Sequence, residues 1–230
     1  MSKTYGIILA GGQGKRMQKN IPKQFLFLAQ KPILAYSLET FNSLKEIDYL
    51  LITSPRKNIP EVEKIVNQYK IYKVAKIIPG GKTRQESVWQ VLSSCSFEKN
   101  DILIIHDAVR PLATKGLIKK CLTQVKKGFS AGVYVPVKDS LAEIKENSIS
   151  KNIARENIYQ AQTPQAFLYQ VIKNAHLKAL NNKKSFSDDV SLVLEAGYQV
   201  KKIDGFYKNI KITFPEDLIL GETFLKEIKN

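Results

Sequence analysis

Short, almost wholly apolar runs alternate along this chain with longer stretches of helical spacing, and no other feature narrows its fold as much. Tyr5–Ala10 (YGIILA), Ile47–Thr53 (IDYLLIT), Val74–Ile78, Ile102–His106 (ILIIH), Ala131–Pro136 (AGVYVP) and Tyr198–Ile203 are predicted strands. Ile33–Phe41, Pro60–Tyr69, Arg84–Ser94, Lys115–Lys126, Pro164–Leu180 and Asp188–Ala196 place apolar residues at helical intervals. A last helix is predicted from Pro215, with Thr213-Phe214-Pro215-Glu216 as its capping box. A strand that is apolar throughout, rather than at every second residue, is covered on both faces. The expectation is an α/β fold: a mostly parallel sheet with helices on both faces. One stretch departs from this. Val137–Tyr159 holds short alternating segments about Glu146-Asn147-Ser148, which predicts a protruding β-hairpin arm. With no repeats or linkers in 230 residues, a single domain over 1–230 is expected, its arm at about 137–159.

Composition narrows the function. The net charge is +15, which favours phosphorylated or polyanionic partners. The lysines are spread along the chain, without a basic run of five or an RRM, zinc-finger or helix-turn-helix pattern. Nucleic acid is therefore not the expected partner. No apolar run approaches the roughly 20 residues that cross a bilayer, so no membrane partner is expected either. The first residues lack the pattern of a signal peptide. Cys95 and Cys121 have no CxxC spacing. An intracellular, cytoplasmic protein is expected. Two histidines without HExxH, and the lack of a GxSxG elbow, speak against a zinc hydrolase or a serine hydrolase.

Four groups of residues carry the candidate chemistry. The first follows the first predicted strand: Ala10, Gly11, Gly12, Gly14, Lys15 and Arg16, then Pro22-Lys23-Gln24. Glycines after a strand let backbone N–H groups approach phosphates that a side chain would block. Arg16 and Lys23 add cations. The loop is neither a Walker A motif nor GxGxxG, and its alternative is a plain tight turn. The second group is His106-Asp107-Ala108-Val109-Arg110-Pro111, at the end of the most apolar strand. A carboxylate there suits Mg²⁺, the alternative being an Asp–Arg salt bridge, and His106 reads as a packed or hydrogen-bonded histidine. The third is Gly80-Gly81-Lys82-Thr83-Arg84-Gln85-Glu86-Ser87, an anion- or base-facing turn or a capped helix start. The fourth is dispersed: Ser140, Arg155, Thr163, Ser187 and Lys211 are weak signals taken singly, with Ser187 and Thr213 readable as helix caps and Lys211 as a surface lysine.

Taken together and in order, ILAGGQGKRM, PKQF, PGGKTRQESV, HDAVRP, VPVKDS, AQTPQAF, FSDDVSLVLEAG and NIKITFPEDL resemble the 2-C-methyl-D-erythritol 4-phosphate cytidylyltransferases of the non-mevalonate isoprenoid pathway. The match runs from residue 7 to 218. The ribitol-5-phosphate cytidylyltransferases share HDAVRP and QTPQ, while VPVKDS and GGKTRQESV favour the erythritol branch. The resemblance implies a Rossmann-like domain, CTP as co-substrate, Mg²⁺, and a homodimer in which the arm of one subunit reaches the other's site. It implies phosphate contacts at Arg16 and Lys23, metal binding at Asp107 and a substrate-site arginine at Arg110. It places cytosine-side contacts at Ala10, Gly80, Ser87 and Ala108, with Gly81 in the same turn. Sugar-phosphate contacts fall on Ser140, Arg155, Ser187 and Lys211. The family often has Thr where Ser140 and Ser187 stand, and some members carry an acid at Lys82. The implied reaction is attack of a sugar phosphate on the α-phosphorus of CTP. Its nucleophile is already largely dianionic, which agrees with the lack of a credible catalytic base.

Overall fold

The computed structural model describes residues 2–12 and 21–229. The strands are β1 (Thr4–Leu9), the short pair β2 (Phe27–Leu28) and β3 (Lys31–Pro32), β4 (Tyr49–Ser54), β5 (Val74–Pro79), β6 (Ile102–Asp107), β7 (Ser130–Pro136), β8 (Leu141–Lys145), β9 (Ser148–Ile153), β10 (Tyr159–Leu168) and β11 (Val200–Asp204). The helices are α1 (Ile33–Asn42), α2 (Ile59–Gln68), α3 (Arg84–Ser94), α4 (Lys115–Lys126), α5 (Tyr169–Asn181), α6 (Asp189–Glu195) and α7 (Pro215–Lys229). Seven strands form one sheet in the order β11-β7-β10-β6-β1-β4-β5. All pairs in it are parallel except those of β10, which runs antiparallel to both neighbours.

Each strand residue points to the opposite face from the next, and both faces are buried. Ile8, Ile52, Ile104 and Ala166 pack with α1, α2 and α4 through Leu38, Ile65 and Ile118. Ile7, Leu51, Ile105 and Phe167 pack on the other face with α3, α5 and α6 through Val88, Ile172 and Val193. This is why the strands read as continuous apolar runs. A smaller cluster of Leu26, Leu28, Ile33, Val109 and Ile212 sits under Leu218 and Leu225 of α7.

Two expectations change. Pro164–Leu168 is strand, not the start of a helix, and α5 begins only at Tyr169. Here polar residues interrupt a fully buried strand: Gln162, Thr163 and Gln165 are each at most 5% exposed. They erase the apolar signature, and the register shifts across Gln162–Gln165 where Pro164 has no N–H to give. The capping box of α7 is also different. Asp217, not Glu216, reaches back, and its Oδ2 accepts from the N–H groups of Thr213 (2.7 Å) and Phe214 (2.8 Å). The predicted hairpin is present. β8 and β9 pair antiparallel across Glu146-Asn147, both at positive φ, as a two-residue hairpin turn of the twist-matching kind requires. Residues 142–160 of the arm and the chain leading back are exposed.

Candidate active site

The sheet reverses its strand order at β1: β4 and β5 lie on one side, β6 on the other. Loops leaving the carboxyl ends diverge there and leave a crevice. Leu9 is in register with Asp107, so the glycine loop and the candidate metal carboxylate are neighbours. The resulting cleft has a volume of about 610 Å³ and is walled by Ala10, Gly11 and Gly12 after β1, Gly80 and Gly81 after β5, and Asp107 at the end of β6. Its described cations are Lys23, Arg56, Lys82, Arg84 and Lys211, against Glu86 and Asp107.

Asp107 is the centre of this charge. Its Oδ2 accepts from Lys211 Nζ at 2.7 Å and its Oδ1 from Arg84 Nε at 3.2 Å. Burial works against its negative charge, but Arg84 and Lys211 outweigh that and hold the carboxyl well below the usual range. Arg84 also donates from Nη1 to Asp189 Oδ2 at 2.6 Å. Burial opposes its charge too, and Asp189 and Asp107 reverse the effect. The salt bridge considered from the sequence, Asp107 with Arg110, does not form. Arg110 instead donates to the carbonyls of Asn209 (2.8 Å) and Ala161 (3.3 Å), and it does not line the cleft.

Beneath Asp107 lies a closed chain of hydrogen bonds. The Asp107 N–H donates to Thr163 Oγ1 at 3.1 Å. Thr163 Oγ1 is 2.9 Å from His106 Nδ1, and His106 Nε2 is 3.2 Å from the Arg110 carbonyl. A carbonyl only accepts, so Nε2 carries the proton and Nδ1 accepts from the Thr163 hydroxyl. Burial keeps the ring neutral by lowering its pKa to about 4. His106 and Thr163 thus hold the Asp107 backbone, and neither side chain lines the cleft.

Lys23 sits in a one-turn helix, Lys23–Phe25, and is 8% exposed. A Cβ on Gly12 would come within 3.2 Å of Lys23 Cε, so glycine lets the loop pass over the lysine stem. Gln24 ties that turn to the loop by donating to the Ala10 carbonyl at 2.8 Å. In the turn after β5, Ser87 Oγ accepts from Gly81 N–H (3.1 Å) and donates to the Thr83 carbonyl (2.8 Å). Thr83 caps α3 by accepting from Glu86 N–H at 3.1 Å, so the capped helix start and the cleft-facing turn are the same structure.

The remaining candidates are placed differently. Gly14, Lys15 and Arg16 lie outside the described residues. Ala108 is fully buried; its N–H donates to the Leu9 carbonyl and its own carbonyl accepts from Ser37. Ser140 and Arg155 are exposed at the base of the arm, where Arg155 donates to the Lys138 carbonyl, and neither lines this cleft. Ser187 is exposed before α6 but does not cap it; Asp188 does, accepting from Ser191 N–H at 2.8 Å. Thr213 caps nothing, since its hydroxyl donates to the Lys211 carbonyl. Lys211 is no free surface lysine. Arg84 and Arg56 were not singled out from sequence. The TRQES stretch flagged Arg84 only as part of a helix start, and nothing marked Arg56.

The family profile described as 2-C-methyl-D-erythritol 4-phosphate cytidylyltransferase matches residues 5–227. The chain belongs to that family. A protein of that name from Clostridium novyi (strain NT) is 39% identical over 231 residues, covering 100% of this chain and 99% of its own. One from Clostridium botulinum (strain Loch Maree / Type A3) is 38% identical, over 99% of this chain and all of its own. The crystal structure of 4-diphosphocytidyl-2C-methyl-D-erythritol synthase from Anaerococcus prevotii superposes with a TM-score of 0.83 at 26% identity, over 98% of this chain and 96% of the other. The erythritol branch is thus favoured over the ribitol branch, and the chain is an enzyme of nucleotidyl transfer.

Proposed function

We propose that the cleft holds CTP and that a phosphate oxygen of 2-C-methyl-D-erythritol 4-phosphate attacks its α-phosphorus. The P–O bond to the leaving group breaks, pyrophosphate departs, and 4-diphosphocytidyl-2-C-methyl-D-erythritol remains. The observation that carries this reading is a strongly cationic cleft at the strand ends whose central carboxylate, Asp107, is held by Arg84 and Lys211. The described lining offers no histidine or cysteine as a base. None is needed, because the attacking phosphate is already largely ionised. The barrier lies in bringing anions together and in charge growing on the phosphoryl oxygens. Positioning and preorganised cations lower it. Lys23 and, from the resemblance, Arg16 would grip the triphosphate. Lys211 would meet the incoming phosphate beside Asp107. Gly80, Gly81 and Ser87 would face the base, with Ala10 and the glycines Gly11, Gly12 and Gly14 along the nucleotide.

Among the described residues, no three His, Cys, Asp or Glu side chains gather into a metal cage. So few carboxylates in a basic cleft, Asp107 and Glu86, fit Mg²⁺, which is bound through one or two carboxylates together with substrate phosphates. Asp107 would hold it, and the ion would supply neutralisation of the phosphoryl charge. The arm supports a homodimer. Ile144, Ile149 and Ile153 on it are 58%, 72% and 38% exposed, and the arm's own Ser140 and Arg155 stand away from the cleft of their chain. A second copy would bury the first set and use the second. No helix among the described residues is long and apolar enough to cross a membrane.

Pyrophosphate release from CTP and Mg²⁺ with each sugar phosphate tests the proposal. Turnover with 2-C-methyl-D-erythritol 4-phosphate and little with ribitol 5-phosphate is expected. The reverse preference, or release with neither, would overturn it.

A further inference from the structure

Gln85 lies outside the cleft lining, yet its side-chain amide makes two hydrogen bonds to one distant loop. Its Oε1 accepts from the Phe186 N–H at 2.9 Å, and its Nε2 donates to the Lys184 carbonyl at 3.2 Å. An amide that gives to one peptide and takes from another nearby fixes that backbone in two directions. The far end of the loop is tied as well. Arg84, the preceding residue, pairs with Asp189, while Gln165 accepts from the Asp189 N–H (3.2 Å) and donates to Asp188 Oδ2 (3.2 Å). Ser187 stands exposed between these ties. The other residues of the same first turn of α3, Arg84, Glu86 and Ser87, and the capping Thr83 line the nucleotide cleft with Gly80 and Gly81.

We infer that Gln85 is a positioning residue for the acceptor: it clamps the 184–189 loop, and with it Ser187, to the helix turn that forms the wall of the nucleotide cleft. This rests on the proposed assignment of Ser187 to the sugar phosphate. Gln85 sets the distance between the two substrates from outside both sites. Its bonds are partly exposed, so losing them loosens the loop and leaves the sheet intact. A shift of about 1 Å in a positioning group can cost on the order of a hundredfold in rate.

The test uses the full-length enzyme with Gln85→Ala, Gln85→Glu and Ser187→Ala, and varies CTP and the sugar phosphate separately. Gln85→Ala is expected to raise KM for the sugar phosphate at least about tenfold and KM for CTP less than about twofold. Gln85→Glu keeps the acceptor for Phe186 N–H and recovers part of the loss. Amide hydrogen exchange across 184–189 becomes faster in Gln85→Ala. An equal rise in both KM values overturns the inference. So does an unchanged sugar-phosphate KM in Gln85→Ala when Ser187→Ala raises it. If Ser187→Ala leaves that KM unchanged, the assignment of the loop to the acceptor falls, and the inference with it. Should Gln85→Ala fail to fold, Gln85→Glu provides the same comparison of the two KM values.

Discussion

Lys23 and Asp107 are opposite charges that line the same cleft. Lys23 is buried beside the glycine loop, where a cation does more than it would in water. Lys23→Ala should lower turnover by roughly a hundredfold or more while the fold survives. Steady-state kinetics beside a circular dichroism melt checks this, and near-normal turnover would remove Lys23 from the role. Asp107→Asn leaves Lys211 and Arg84 facing each other without the shared anion. It should cost on the order of 3 kcal/mol in a urea titration, the range for breaking a buried pair by removing one partner. A different residue contributes to the loss of stability at alkaline pH. Burial pushes the Cys121 thiol from 9.0 up to about 12. Its folded pKa lies above its unfolded one, so its contribution is fully present below pH 9.0 and is lost as pH rises towards about 12. The melting temperature of Cys121→Ser should fall less steeply across that window than that of the parent.

At the scale of elements, the helices and strands that bury one clean face were legible. Arg84–Ser94 and Lys115–Lys126 coincide with α3 and α4, because helical spacing survives where a helix rests on a sheet. β10 was not legible beyond its arm side, because Gln162, Thr163 and Gln165 spend their polar groups on Asn209, Phe206, His106, Asp188 and Asp189. Buried hydrogen bonds replaced the apolar signature there. The start of α7 was legible in position and wrong in chemistry. Asp217→Ala should therefore cost about 1 kcal/mol, seen as a drop of about 2–4 °C in melting temperature, whereas Glu216→Ala should cost far less.

For the whole molecule, the proposed dimer rests on the arm. Its isoleucines Ile144, Ile149 and Ile153 are exposed, and in the proposed dimer a second copy would cover them. Sedimentation should show a dimer. Replacing residues 141–153 with a short Gly-Ser turn should give a monomer that still binds CTP and no longer uses the sugar phosphate. A dimer that persists without the arm would refute this arrangement. Arg155→Ala, which leaves the arm in place, should raise KM for the sugar phosphate and not for CTP.

The α/β class, the hairpin arm, the glycines directly after β1 and the Asp107 strand end were determined by the sequence alone. Each rests on local spacing: continuous apolar runs, a turn between alternating segments, glycines after a strand. Tertiary structure alone decided which charges meet. The Asp107 carboxylate is partnered by residues 23 positions before it and 104 after it, while the guanidinium of Arg110, three positions away, goes to the Asn209 and Ala161 carbonyls instead. Sequence spacing reports neighbours along an element, whereas the pairing of buried charges depends on which strand ends and loops the sheet order brings together.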